Sequence, residues 1–182
     1  VLFCFIEMGV TTMTAQGRTR RPMTEFTTDT AMVHDPVMAY EDGVYYMFST
    51  GMGIQLMTSS DRRSWTFKPG GVMGREGIPA WTHDSVPGFR NHVWAPDIFR
   101  FNNRWWIAYS CSTFGRNTSA IGLISSPTLA TPQWTDEGCV ITSRQDRNNW
   151  NAIDANICAD ADGRPWMTFG SFWDGIQIIP LD

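Results

Sequence analysis

An internal repeat constrains the fold of this chain more than any other feature of its sequence. In the first unit, Asp35-Pro-Val leads through a turn at Gly43 to Val44-Tyr-Tyr-Met-Phe-Ser, then to Ile54-Gln-Leu-Met-Thr-Ser-Ser and Ser64-Trp-Thr-Phe. In the second, Asp97-Ile-Phe leads through Asn102-Asn103 to Trp105-Trp-Ile-Ala-Tyr-Ser, then Ile121-Gly-Leu-Ile-Ser-Ser and Gln133-Trp-Thr. The third runs from Asp154-Ala-Asn-Ile through Asp162-Gly163 to Pro165-Trp-Met-Thr-Phe-Gly and Ile176-Gln-Ile-Ile. The unit starts Asp35, Asp97 and Asp154 lie 62 and 57 residues apart. Short β-branched and aromatic runs separated by Asn, Asp and Gly read as strands joined by tight turns. Four strands per unit at this period predict the blades of an all-β propeller, with a stacked sandwich as the alternative. Ten prolines and the absence of long helical periodicity exclude an α-rich fold.

The third unit supplies three strands before Asp182, so about two and a half blades are expected. An open ring would leave a strand edge uncovered, and the chain therefore reads as a piece of a longer protein. Residues 31–182 form the expected partial propeller and residues 17–30 a lead-in segment. Residues 1–16 resemble the remnant of a secretory signal peptide, with the apolar run Val1-Leu-Phe-Cys-Phe-Ile and small residues before Gln16. A buried first strand is the competing reading of that run. The signal reading implies an extracellular or periplasmic protein, and no other segment is long and apolar enough to span a membrane.

The net charge of −4 and the absence of any basic run beyond Arg18–Arg21 argue against a nucleic-acid or anionic-membrane partner. A neutral ligand fits better, and nine Trp residues offer flat faces on which sugars stack, although most would fill a β core. With Cys4 assigned to the signal segment, Cys111, Cys139 and Cys158 are odd in number and lack metal-ligand spacing, so no disulfide framework is expected. Cys111 and Cys158 sit in apolar runs and read as small buried hydrophobes. His83 and His92 lie in a long loop from Gly70 to Val93 without ligand partners, and a zinc site there is not expected. His34, beside Asp35, reads as a hydrogen-bonding neighbour.

The innermost strand of a propeller blade runs along the central axis, so residues at its start face one shared cavity. Asp35, Asp97 and Asp154 are all expected at that entrance. Converging carboxylates repel one another and raise the pKa of the most buried, a device suited to acid–base chemistry. The competing reading is that each Asp caps its incoming turn.

Five motifs in order, Val33-His-Asp-Pro-Val, His92-Val-Trp-Ala-Pro-Asp-Ile, Ser119-Ala-Ile-Gly-Leu, Asn151-Ala-Ile-Asp and Gly170-Ser-Phe-Trp-Asp-Gly-Ile, resemble the arabinanase branch of glycoside hydrolase family 43. The resemblance implies a five-bladed propeller that hydrolyses α-1,5-linked arabinan or arabino-oligosaccharides by inversion, with acid and base about 6.5–9.5 Å apart. It makes Asp35 the general base and Asp154 the carboxyl that orients the general acid and raises its pKa. The acid itself is a Glu of the following blade, beyond Asp182. Glu76, in the long loop, and Glu137, on the outer edge of its blade, do not replace it, so the 182 residues are expected to be inactive alone. Trp94 and Phe114 are implied as aromatic walls of the cleavage subsite. Asp97 is placed in the wall or its hydrogen bonding, and Asn151, Ser171 and Trp173 near the cavity mouth. No cofactor is required; a structural calcium held through a later His is implied for the complete protein, which is expected to be a monomer. Ala155 stands where the family has Pro, which could loosen the presentation of Asp154. An exo-acting arabinofuranosidase or β-xylosidase of the same family, or a non-catalytic glycan-binding propeller, remain as alternatives.

Overall fold

The computed structural model describes residues 23–74 and 76–181, arranged as three antiparallel sheets in chain order. The proposed signal segment and Cys4 lie outside the described residues. The first sheet comprises β2 (Val37–Glu41), β3 (Val44–Ser49), β5 (Gln55–Ser59), β6 (Trp65–Lys68) and β1 (Phe26–Thr28), in that spatial order. The second comprises β7 (His92–Phe101), β8 (Arg104–Cys111), β9 (Ser119–Ser126) and β10 (Thr135–Ser143). The short strand β4 (Gly51–Met52) leaves the first unit to pair with the free edge of β7. The third sheet comprises β11 (Asn156–Ala159), β12 (Pro165–Phe169) and β13 (Gln177–Pro180).

The first strand of each unit sits at the inner edge, and β7 contacts both β2 and β11. These are two blades and part of a third of a propeller, as the repeat predicts. Hairpins form where expected. Asp42-Gly43 and Asn102-Asn103 each hold two successive left-handed residues, the backbone of a two-residue turn whose twist matches its strands.

Several local expectations are corrected. The lead-in segment contributes β1, the outermost strand of the first blade, because Phe26 stacks on Phe67 with ring centroids 5.1 Å apart. The last strand of the second blade runs on to Ser143, accommodating Gly138 through a bulge. The Gly70–Val93 segment contains a short helix, α1 (Ala80–Ser85), whose Trp81 indole donates to Asp136 and lies over Gly122. A Cβ at Gly122 would fall 2.7 Å from that indole and 2.6 Å from Tyr109. Cys111 is buried as expected, but Cys158 is exposed: β11 alternates faces, and Ile157 takes the one directed into the core.

The core lies between blades. Phe48, Ile54, Val93, Ile107 and Tyr109 join the first two sheets; Ala108, Ile121, Ile157, Met167 and Phe169 join the second and third. One carboxylate reinforces the first seam. Glu41, at the far end of β2 from Asp35, accepts from Trp105 Nε1 at 2.6 Å, Thr128 Oγ1 at 2.7 Å, and the backbone N–H groups of Leu129 and Ala130. Burial alone would raise its pKa, but these bonds to the charged form together lower it from 4.5 to about 2. A depressed folded pKa contributes stability that is present above pH 4.5 and lost as pH falls toward 2. Thermal unfolding followed by circular dichroism should show a midpoint that drops across this window, and Glu41→Gln should flatten that part of the profile.

Candidate active site

Register, rather than residue type, defines which positions of the blades are equivalent. The Thr50 N–H donates to the His34 carbonyl at 3.0 Å, Ser110 pairs with Trp94, and the Gly170 N–H donates to the Ile153 carbonyl at 2.8 Å. The residue following each acceptor turns left-handed: Asp35 at φ 49°, Ala95 at φ 36° and Asp154 at φ 57°. The equivalent positions are therefore Asp35, Ala95 and Asp154, spaced by 60 and 59 residues. Asp97 does not stand at the blade entrance. It lies two residues further on, inside β7 opposite Ala108, past a bulge at Ala95-Pro96.

The side chain of Asp97 faces the third blade. Its Oδ2 accepts from the Ile157 N–H at 2.8 Å and Asn156 Nδ2 at 3.3 Å, crossing from β7 to β11. Burial raises its pKa, and the hydrogen bonds from Ile157 and Asn156 work against that rise. The two remaining carboxyls are electrostatically coupled. The pKa of Asp154 is raised by desolvation and further by the negative charge of Asp35, while a hydrogen bond from Ser171 and the nearby His34 oppose the shift. His34 Nε2 lies 3.5 Å from Asp35 Oδ2.

Two of these left-handed turns, at Ala95 and Asp154, are held by a hydroxyl of the preceding blade. The Thr50 Oγ1 accepts from the Ala95 N–H at 2.8 Å, and the Ser110 Oγ accepts from the Asp154 N–H at 3.0 Å. Asp and Asn tolerate this region through short polar side chains; Ala does so at a cost of about 1 kcal/mol or more. Ala155, standing where the family has Pro, leaves the turn intact: Asp154 adopts the same left-handed conformation as Asp35, which precedes Pro36.

Alongside Asp154 opens a cleft of about 340 Å³, within the range of small-molecule sites. Trp94, Phe114 and Trp173 line it as expected, and so does Asn151. Phe114 is 93% exposed, an apolar ring presented to solvent without packing partners to explain it. Asn151 is itself buried, and its Oδ1 accepts from Ser119 Oγ at 2.7 Å, so its carbonyl end anchors the loop that carries Ile153 and Asp154. Ser171 acts on the carboxyl of Asp154 rather than on the cleft lining. Sequence reasoning missed Ile153, Phe172, Thr113, Gly115 and Arg116, which complete the lining. Phe172 is signalled only by adjacency to Trp173; both residues are left-handed, at φ 56° and 40°, which turns two aromatic side chains out of one short loop.

Among the described residues, no group of three or more His, Cys, Asp or Glu side chains is placed to hold a metal ion, so they provide no ligand set for the calcium implied by family resemblance. Three of the described glutamates are engaged elsewhere. Glu41 closes the blade seam, Glu25 pairs with Lys68 at 2.8 Å, and Glu137 accepts from Ser125 on the outer half of the second blade.

The blades thus carry Asp35 and Asp154 at equivalent turns, with Asp154 adjoining Ile153 of an aromatic cleft. Residues 28–182 match the family model for glycosyl hydrolases family 43, and the chain belongs to that family. It is 46% identical over 154 residues to an extracellular exo-α-(1→5)-L-arabinofuranosidase of Cellvibrio japonicus, covering 82% of this chain and 44% of that protein. It is 42% identical over 156 residues to an extracellular endo-α-(1→5)-L-arabinanase of Bacillus subtilis, covering 83% and 47%. The crystal structure of an exo-1,5-α-L-arabinanase from a bovine ruminal metagenomic library superposes with a TM-score of 0.78 at 55% identity, covering 82% of this chain and 49% of that one. The blades are thus those of the five-bladed propeller of such arabinanases, and the chain spans about half the length of these relatives.

The geometry separates scaffold from surface. Ser110→Ala should leave the Asp154 N–H without its acceptor and cost about 1–3 kcal/mol of stability. Phe114→Ala should change stability by less than about 0.5 kcal/mol. Urea unfolding of both variants checks the contrast.

Proposed function

We propose that this chain carries the catalytic base and the acid-orienting carboxyl of an inverting glycosidase that cleaves α-1,5-linked arabinan. The observation that carries the reading is the pairing of Asp35 and Asp154 at equivalent left-handed turns, with Asp154 feeling the charge of Asp35. Asp35 is exposed enough for a water molecule to reach it, its side chain being 39% accessible. In this mechanism Asp35 takes a proton from that water as the oxygen attacks the anomeric carbon. The bond to the leaving sugar breaks, and its oxygen receives a proton from the general acid. Asp154, by its negative charge, keeps that acid protonated until it is needed. The general acid is a Glu outside the described residues, in keeping with the bonding of Glu25, Glu41 and Glu137. Trp94, Phe114 and Trp173 offer stacking faces to the furanose rings. Extracellular action is part of the proposal, supported by the printed names of the two relatives.

Cleavage within the chain is the leading mode. A second mode, release of units from a chain end, is favoured by the exo-acting names of two of the similar proteins. The time course of products from linear arabinan separates them: a ladder of oligosaccharides marks the endo mode, and a single short product from the outset marks the exo mode.

Asp35→Ala in the product of the intact gene should lower kcat on linear arabinan by about 10²- to 10⁴-fold. Proton NMR of the first-formed sugar should show an inverted anomeric centre. Retained turnover in Asp35→Ala would overturn the assignment of the base, and retained configuration the mechanism.

A further inference from the structure

The hydroxyl of Thr50 belongs to two structures at once. It accepts from the Ala95 N–H at 2.8 Å and donates to Asp35 Oδ2 at 2.7 Å. A backbone amide can only donate, so the hydroxyl oxygen is committed as acceptor toward Ala95 and its single proton is left for Asp35. Toward an ionised carboxylate, which has no proton to give, the hydroxyl is the donor. Donation to a charged oxygen is a short, directional bond, and it fixes that oxygen in place.

The same bond selects an oxygen. Thr50 and His34 both approach Oδ2, whereas among the described residues Oδ1 has no hydrogen-bond partner. The equivalent hydroxyl in the second blade differs. Ser110 Oγ is fully buried and accepts from the Asp154 backbone, but the hydroxyl that reaches the Asp154 carboxyl is Ser171, from the next strand connection. Among the described residues, only Thr50 uses one hydroxyl to tie a carboxyl of its own blade to the backbone turn of the following blade.

We propose that Thr50 is a positioning residue: its hydroxyl, polarised by the Ala95 N–H, holds Asp35 Oδ2 and leaves Oδ1 aimed at the attacking water. The inference rests on the reading of Asp35 as the base. The first blade supplies the base, and the second blade, through Ala95, sets its orientation. Ala95 needs no functional side chain for this, since its contribution is the amide of a left-handed turn. Loss of the hydroxyl would leave Asp35 in place but free to rotate, and misplacement of this size costs rate rather than substrate affinity.

The test compares Thr50→Val, Thr50→Ser and Asp35→Ala in the product of the intact gene, assayed on linear arabinan. Thr50→Val keeps the shape but removes the hydroxyl, and should lower kcat by ~10- to 100-fold with KM changed by less than about twofold. Thr50→Ser restores donor and acceptor and should stay within about threefold of the parent protein. The proposal is overturned if Thr50→Val retains its kcat, or if Thr50→Ser falls as far as Thr50→Val. Asp35→Ala keeps the two questions apart: turnover surviving in that variant sinks the base assignment, whereas loss there with full activity in Thr50→Val sinks only the positioning role. Crystals of Thr50→Val give a readout independent of turnover. The Asp35 carboxylate should leave its parent rotamer, and an unchanged carboxylate would overturn the proposal.

Discussion

A hydrogen bond from a left-handed backbone turn to a hydroxyl on the preceding blade is the interaction on which the rest of this structure depends. It occurs twice, at Thr50 with Ala95 and at Ser110 with Asp154. Hydrophobic packing between sheets supplies most of the stabilisation, but packing is non-directional and tolerates sliding. The hydroxyl bonds remove that freedom at the end of the strands where the carboxyls stand. Backbone conformations that cost energy for an L-residue are maintained because their N–H groups have a buried partner. Strand register, blade docking and carboxyl presentation are thus set by one repeated contact.

Four aspartate and glutamate side chains in this molecule show how environment assigns roles. Glu41 receives donors on both oxygens and is held ionised as a clamp between blades. Asp97 is half-buried and spends one oxygen on the next blade's first strand. Asp154 has its proton affinity raised by desolvation and by a like charge. Asp35 is exposed, with one oxygen committed to Thr50 and, among the described residues, the other without a hydrogen-bond partner. The same functional group yields a clamp at Glu41, a strut at Asp97 and two electrostatically linked carboxyls at Asp35 and Asp154, and the distinction lies in the donors and charges that surround each group.

Much of this was legible in the sequence, because strands alternate with turn residues whose physical purpose is local. The blades, the hairpins at Gly43 and Asn102-Asn103, and the carboxyls Asp35 and Asp154 all followed from pattern. The alignment of the second blade did not. Aspartate is the visible residue, so Asp97 was matched to Asp35, whereas the register matches Asp35 to Ala95, a residue with no chemistry to notice. Likewise, aligning the serines pairs Ser49 with Ser110, one position away from Thr50, the true equivalent. A bulge shifts the count between a strand's start and its hydrogen-bonded partner, and only the ladder reveals it. Cys158 was misjudged for a related reason: the composition of a run does not say which face each member takes. Thr50 was overlooked because a lone threonine at a strand end carries no motif, though its meaning is plain once its two partners are known.

The left-handed turns at Asp35 and Asp154 occupy the same place in alternate blades, with Ala95 between them. The gap between the two carboxyls is consequently a property of how sheets stack around an axis, and no connecting loop spans it. Replacing the cleft residues Phe114 or Phe172 would reshape the cleft, whereas the gap follows from blade stacking. On the proposed function, reaction geometry and substrate choice belong to separate parts of the chain, so a lineage built on this scaffold can exchange one sugar polymer for another without having to reinvent the chemistry.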